Sequence, residues 1–393
     1  MQNFIGQNNQ LRSTLIEAFA NSDGPQRAQS LRHKSLVVFG PRSSLGMMHI
    51  KGLIAKGANC ILAVDDYCES TEFEGIPICN SKEFLKKAGS LKGAVAIDFT
   101  QTPYARALYR QLAGHAGMEY HDLLELLAAF EAAGVYETVP LYRQRTLALA
   151  DDWLKLADRL ADDQSRETLY ALLLQRIEYN REWLDGIMIG GRDEYFGSSS
   201  NSDTFCLGNR EHFIDGGAHR GTIITRMLAT TNWRYASIHA FEPDRENFAA
   251  LGNLTPVPLQ DLHLHNAALS EHAETLRFNE TGTMGSRISD QGSITVPCLR
   301  LDDVVEQATF IKLDVEGFEA RTLRGASGLI SSQRPRMAIA SYHYAHDLLE
   351  ITATLDAIAP DYRFFLRHHF GYFYDTILYA TPRDDWQPLP QSI

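Results

Sequence analysis

The feature that most limits what this chain can fold into is a glycine-rich turn between an apolar run and a helical pattern, Phe213-Ile214-Asp215-Gly216-Gly217-Ala218-His219-Arg220-Gly221. A chain that leaves a buried strand here turns straight into a helix, and glycines let a ligand approach the backbone where a Cβ would block it. A similar opening occurs earlier, where Ser35-Leu36-Val37-Val38-Phe39-Gly40 runs into Pro41-Arg42-Ser43-Ser44-Leu45-Gly46. Two strand–glycine–helix openings in 393 residues of 44% hydrophobic composition predict two globular α/β units.

The first opening is followed by Cys60-Ile61-Leu62-Ala63-Val64-Asp65 and Ala94-Val95-Ala96-Ile97-Asp98, which predicts a small parallel sheet over residues 1–135. Leu149, Trp153, Leu156 and Leu160 recur at helical spacing, so residues 136–194 read as a helical bridge. Gly190-Gly191 and Ser198-Ser199-Ser200-Asn201-Ser202 have the composition of a loop, near which the boundary falls. Strand signals then recur near 211–215, 236–241, 261–268, 309–314 and 336–342, with helices expected in most of the gaps. Tyr362–Leu366 and Thr376–Ala380 follow, too close together for a crossover helix. Residues 195–393 therefore read as a doubly wound, mainly parallel sheet closed by an antiparallel hairpin.

The formal charge of −12 repels a phosphate backbone, so nucleic acid is not an expected partner. Cys60, Cys68, Cys79, Cys206 and Cys298 show neither a disulfide framework nor zinc spacing. No secretory start or long apolar span is evident, and a cytoplasmic protein without integral membrane association is expected; a homo-oligomer stays open. Leu11, Leu15, Ile16 and Phe19 read as a helix face packed on its own domain.

The second predicted strand of the C-terminal half ends Ala240-Phe241-Glu242-Pro243, placing an acid 25 residues beyond Gly217, where a carboxylate accepts hydrogen bonds from both hydroxyls of a ribose. Turn and acid together predict a ribose-bearing cofactor, either S-adenosylmethionine (SAM) or a dinucleotide. Ile311-Lys312-Leu313-Asp314-Val315-Glu316-Gly317-Phe318-Glu319 adds acids at the end of the fourth strand, along the edge where ligands bind. Glu319 alternatively opens a helix.

With these residues in place, the C-terminal half resembles the FkbM-type family of SAM-dependent methyltransferases over nearly all of residues 195–382. The resemblance rests on the ordered set Phe213–Gly221, Phe241-Glu242-Pro243, Asn266-Ala267-Ala268-Leu269-Ser270, Leu301-Asp302-Asp303, Lys312–Gly317 and Tyr342-His343. It implies a Rossmann-like methyltransferase domain, preceded by a smaller Rossmann-like domain and the helical bridge. By resemblance, Asp215, Gly217 and Gly221 line the methionine and sugar portion of SAM, Glu242 the ribose, and Asn266-Ala267 the region near the adenine. Gly216 and His219 depart from the usual pattern, and His219 either faces the cofactor or caps the helix.

An alcohol acceptor must lose a proton, and His343, at the end of the strand expected beside Asp314, is suited to that role by its unperturbed pKa of about 6.5. Asp314, His343 and Glu316 are the catalytic candidates. His343 hydrogen-bonded to backbone is the bland alternative, and Asp314 with His343 alone are too few for a metal site, so none is expected. Tyr195-Phe196 either covers the cofactor on the substrate side or packs in the core, and His368-His369 is expected in a surface hairpin. The turn Gly40–Gly46, with Asp65-Asp66 ending the next strand, makes a second nucleotide site conceivable.

The resulting expectation is a SAM-dependent methyltransferase, O-methylating a hydroxyl of a sugar, glycan or polyketide-like metabolite. The competing readings are a non-catalytic SAM-binding sensor or assembly protein, and an NAD-dependent oxidoreductase using the N-terminal glycine turn.

Overall fold

The structure is a computed structural model that describes residues 2–67, 69–197, 205–255, 258–281 and 285–382; Cys68 and the serine run Ser198–Ser202 lie outside the described residues. The chain divides into two compact units. One comprises Met1–Leu154, Arg166–Met188 and His368–Tyr374, the other Lys155–Ser165, Ile189–Arg367 and Asp375–Ile393. The helices found between residues 136 and 194 are Val139–Ala148, Ala150–Arg159 and Asp163–Glu178, and the last two are shared between the units.

The first unit is built on β1 Ser35–Phe39, β2 Asn59–Val64, β3 Glu72–Phe73, β4 Ile76–Cys79, β5 Val95–Asp98 and β6 Tyr120–Asp122. They form one sheet in the order β3-β4-β2-β1-β5-β6, parallel except for the β3/β4 pair. Alternate residues of β1 enter different cores, Leu36 and Val38 on one face and Val37 and Phe39 on the other. Both faces are therefore covered, which is why the strand reads as an unbroken apolar run.

Further strands are β7 Met188–Ile189, β8 His212–Gly216, β9 Ser237–Phe241, β10 Leu262–His265, β11 Ala268–Leu269, β12 Glu274–Asn279, β13 Arg287–Ile288, β14 Ile294–Leu299, β15 Phe310–Leu313, β16 Arg336–Ala340, β17 Tyr362–His369 and β18 Thr376–Pro382. An eight-stranded sheet has the order β10-β9-β8-β15-β16-β18-β17-β7. Its first five strands are parallel, and β18 runs antiparallel to β16, giving the parallel sheet with a closing hairpin that the sequence predicts. Because the chain moves outward from β8 to β10 and returns to β15, the switch point lies between β8 and β15, where ligands of such sheets bind.

Two expectations need correction. The gap between β10 and β15 is filled mainly by a separate four-stranded sheet, order β11-β14-β12-β13, because Glu274–Asn279 and Ile294–Leu299 alternate polar with apolar residues at strand period. His368 and His369 are also not on a surface hairpin. They belong to β17 and are fully buried, because that strand is covered on both faces through its end. No helix among the described residues is long and apolar enough to cross a membrane.

Candidate active site

At the carboxyl end of β8, the amides of Gly217 and Ala218 both donate to the Phe241 carbonyl, each at 3.0 Å, and Asp314 N donates to the Gly216 carbonyl at 3.0 Å. These bonds tie the ends of β8, β9 and β15 together. Gly217 has φ 74°, and a Cβ there would lie 1.8 Å from the Asp314 carbonyl oxygen. The sequence suggests glycine for the sake of a ligand; at this position the protein's own backbone already demands it. Gly221, at φ 82°, precedes the helix Thr222–Thr230 as its N-cap, so His219 does not cap it.

Beneath the turn, Asp215 is wholly buried and its carboxylate lies 3.0 Å from Lys312 Nζ. Lys312 also donates to the carbonyls of Gly217 (2.8 Å) and Gly216 (3.2 Å). Burial works against the ammonium charge, but Asp215 and Asp314 outweigh it and hold the Lys312 pKa above its ordinary value. Asp215 thus braces the turn from below. Sequence reasoning passed over Lys312 as a site residue, although a lysine inside the apolar strand Phe310-Ile311-Lys312-Leu313 is the kind of buried charge that needs a partner.

Glu242 follows β9 and is buried. Its Oε2 accepts from His219 N at 2.7 Å and its Oε1 from Asp244 N at 2.9 Å, and burial pushes its pKa up to about 7. Asn266 donates to the Glu242 carbonyl at 2.9 Å and the Pro243 carbonyl at 3.2 Å, fixing the loop that carries the acid. Ala267 is buried beside it in sequence, where the chain passes from β10 to β11. The half-buried His219 ring has its pKa lowered, first by burial and then by Arg220 and Lys312.

Beyond β15 and its parallel neighbour β16, carboxylates surround one histidine. His343 Nε2 lies 3.4 Å from Asp314 Oδ1 and 3.3 Å from Glu316 Oε2, while Nδ1 lies 3.3 Å from Glu319 Oε1. His343 is 1% exposed, whereas the Asp314 and Glu316 side chains are 23% exposed and reach the surface of the site. Glu319 also accepts from Val315 N at 2.9 Å. Burial opposes the charged ring, but Glu319, Asp314 and Glu316 overcome it and hold the His343 pKa well above 6.5. Carboxylates face both ring nitrogens, a setting that favours the charged ring over the neutral imidazole that a base with an ordinary pKa of about 6.5 would offer.

Burial alone would raise the Asp314 carboxyl, but His343 and Lys312 bring it well below its usual range. Tyr195 donates to Asp314 Oδ2 at 2.8 Å and Tyr342 to Oδ1 at 3.4 Å. Of the expected aromatic pair, only Tyr195 joins the site. Phe196 is 2% exposed, edge-on to Phe213 and Phe310, and is a core residue because β8 and β15 present aromatic rings to it. Two further acids belong to this region. Burial and then Asp314 push Glu194 up to about 7, and burial with Glu194 and Asp314 raises Asp375 well above the usual range. One ligand atom each from Asp314, Glu316 and His343 lies within 4.8 Å of the others, so Glu316 supplies the third donor that a divalent cation would need.

Residues 215–374 match the model of the methyltransferase FkbM domain. Over these residues the chain is similar to FkbM methyltransferases. A methyltransferase FkbM from Methylobacillus flagellatus KT has a similar fold over 96% of this chain and 98% of its own, at 24% identity and a TM-score of 0.74. A putative methyltransferase from Thermoplasma acidophilum covers 46% of this chain and 71% of its own at 10% identity and TM-score 0.29. Fibrillarin from Aeropyrum pernix covers 45% and 69% at 14% identity and TM-score 0.30. No curated protein matches the chain. Within the matched residues, the glycine turn and the Asp314–His343 cluster lie at the switch point, joined through the close approach of Gly217 to Asp314.

Proposed function

We propose that the second unit transfers a methyl group from SAM to a hydroxyl of a sugar, glycan or polyketide-like metabolite. The observation that carries this reading is the meeting of the Gly217 turn with the Asp314–Glu316–His343 cluster at one sheet edge of a region similar to FkbM methyltransferases. SAM, when bound, supplies a methyl on a sulfonium, a leaving group that needs no protonation. Glu242 would take the ribose hydroxyls, since each of its oxygens accepts one amide and keeps a lone pair. Asn266 and Ala267 would border the adenine.

The chain's remaining task is to align the acceptor oxygen and take its proton. The exposed edges of Asp314 and Glu316 suit the alignment and Glu316 the proton, with His343 holding the two carboxylates and the Tyr195 and Tyr342 hydroxyls fixing Asp314. Glu319 orients the ring from Nδ1. The net charge of −12 supports a small-molecule or glycan acceptor over nucleic acid. A second reading has a divalent cation on Asp314, Glu316 and His343 that acidifies the acceptor hydroxyl, favoured by the proximity of their three ligand atoms.

Purified protein incubated with methyl-labelled SAM and a panel of sugars, glycans and polyketides tests the proposal. Label passes to a hydroxyl, and Asp314→Asn abolishes transfer while SAM still binds. Activity that survives exhaustive chelation supports the metal-free form; activity lost on chelation and restored by magnesium or manganese supports the other. SAM binding without turnover on any acceptor would favour a sensor.

A further inference from the structure

The first unit has a switch point of its own, between β1 and β5, because the chain runs from β1 outward to β2 and returns to β5 on the other side. We propose that this edge is a second ligand site, for a phosphate ester of a sugar or nucleoside. The proposal is independent of the methyl-transfer reading.

After β1 the chain passes through Gly40-Pro41-Arg42-Ser43 into the twelve-residue helix Ser44–Ala55. Ser43 Oγ accepts the amide of Gly46 at 3.1 Å and donates to the Phe99 carbonyl at the end of β5, which leaves the earlier first-turn amides without an intrahelical partner. Arg42 stands exposed beside them. A helix start with an adjacent guanidinium suits a phosphate.

The second observation is a buried histidine. His49 is 8% exposed and its Nε2 has no hydrogen-bond partner. It lies on the buried face of the same helix, one turn below Leu45 and Gly46, and helical side chains lean toward the preceding turn. Its ring is 5.9 Å from that of Phe373. Gln101, just past β5, also has a buried Nε2 without a partner, and Gly371 passes so close that a Cβ there would lie 1.6 Å from the Gln101 carbonyl. Buried polar atoms of this kind call for a bonding partner, and a ligand hydroxyl or carbonyl would provide one.

The acids at this edge have partners of their own, and Asp98, which ends β5, is paired with Arg181 and Arg106. Asp65 accepts from Tyr67 N at 2.9 Å, and Asp66 from the amide and hydroxyl of Ser81. Tyr67 and Tyr104, 92% and 89% exposed, follow the ends of β2 and β5 on either side of β1. Rings so placed can cover a sugar or a base.

The test is calorimetric titration of the full chain, saturated with S-adenosylhomocysteine, using inorganic phosphate, glucose 6-phosphate and ADP in turn. Either ester should bind, with affinity falling about tenfold in Arg42→Ala, an exposed position that leaves the fold intact. Gln101→Leu should weaken the ester more than inorganic phosphate. Preference for glucose 6-phosphate or ADP decides between sugar and nucleoside. The proposal is overturned if neither ester binds, if only inorganic phosphate binds and does so equally in all variants, or if binding is lost in Glu242→Gln but kept in Arg42→Ala.

Discussion

The two units open in the same way and use the opening differently. In the first, Gly40 sits at φ 64° and its missing Cβ would meet the Thr100 methyl at 2.6 Å; in the second, Gly217 sits at φ 74° and would meet a backbone oxygen at 1.8 Å. The first turn is closed by a serine cap and contains a proline, whereas the helix after the second has no side-chain cap and its turn rests on a buried lysine. The acid after the next strand differs as well. Asp65 bonds within its own loop, while Glu242 bonds the glycine turn itself. A strand–glycine–helix opening therefore specifies a place for a ligand, and the residues around it specify which chemistry occurs there.

The widest separation between the two turns is expected from alanine substitution. Gly217→Ala should cost about 4 kcal/mol or more and abolish SAM binding, since a peptide oxygen cannot yield as a side chain can. Gly40→Ala should cost about 1–2 kcal/mol, because the threonine methyl can move. Chemical denaturation of both variants measures this, and equal losses would break the comparison. Next in size, Lys312→Met leaves Asp215 buried without its cation and should destabilise the second unit by about 3–5 kcal/mol, read from its thermal transition.

The pH dependence of cofactor binding sharpens the role of Glu242. Its pKa of about 7 lies above the ordinary 4.5, so the stability it contributes is full below 4.5 and is lost as pH rises through 7. Ribose binding needs the ionised form, so SAM affinity should increase about tenfold from pH 6 to 8, and Glu242→Gln should remove that slope. An unchanged slope in the variant would assign it to Glu194, whose pKa also lies near 7. The smallest effect is expected for Tyr195→Phe, which removes one hydrogen bond to Asp314 and should lower kcat about fivefold at unchanged SAM affinity.

Much of the fold was legible because β8, β9 and β15 are apolar runs closed by glycine or acid at the ligand edge, and β16 is one closed by Ser341-Tyr342-His343. The small sheet β11–β14 was less so, since its short, half-exposed strands lie where a crossover helix is the usual connection. Within the site, Asp314, Glu316 and His343 were named from sequence and come together in space. What they do to each other was not legible, because a pKa depends on neighbours brought in by folding, and Glu319 reaches His343 Nδ1 from another element. Glu194 and Asp375 were missed for the same reason, whereas Lys312 carried a signal of its own, a charge inside an apolar strand. Phe196 was ambiguous until Phe213 and Phe310 stood on either side of it.

The central claim is that the second unit's turn holds SAM, and it is tested most directly by titrating the full chain with SAM and, separately, with NAD. The account predicts one SAM per chain, with affinity reduced in Glu242→Gln and untouched in Gly40→Ala, and no NAD binding that competes with it. Binding of NAD without SAM, or SAM binding indifferent to Glu242, would contradict it.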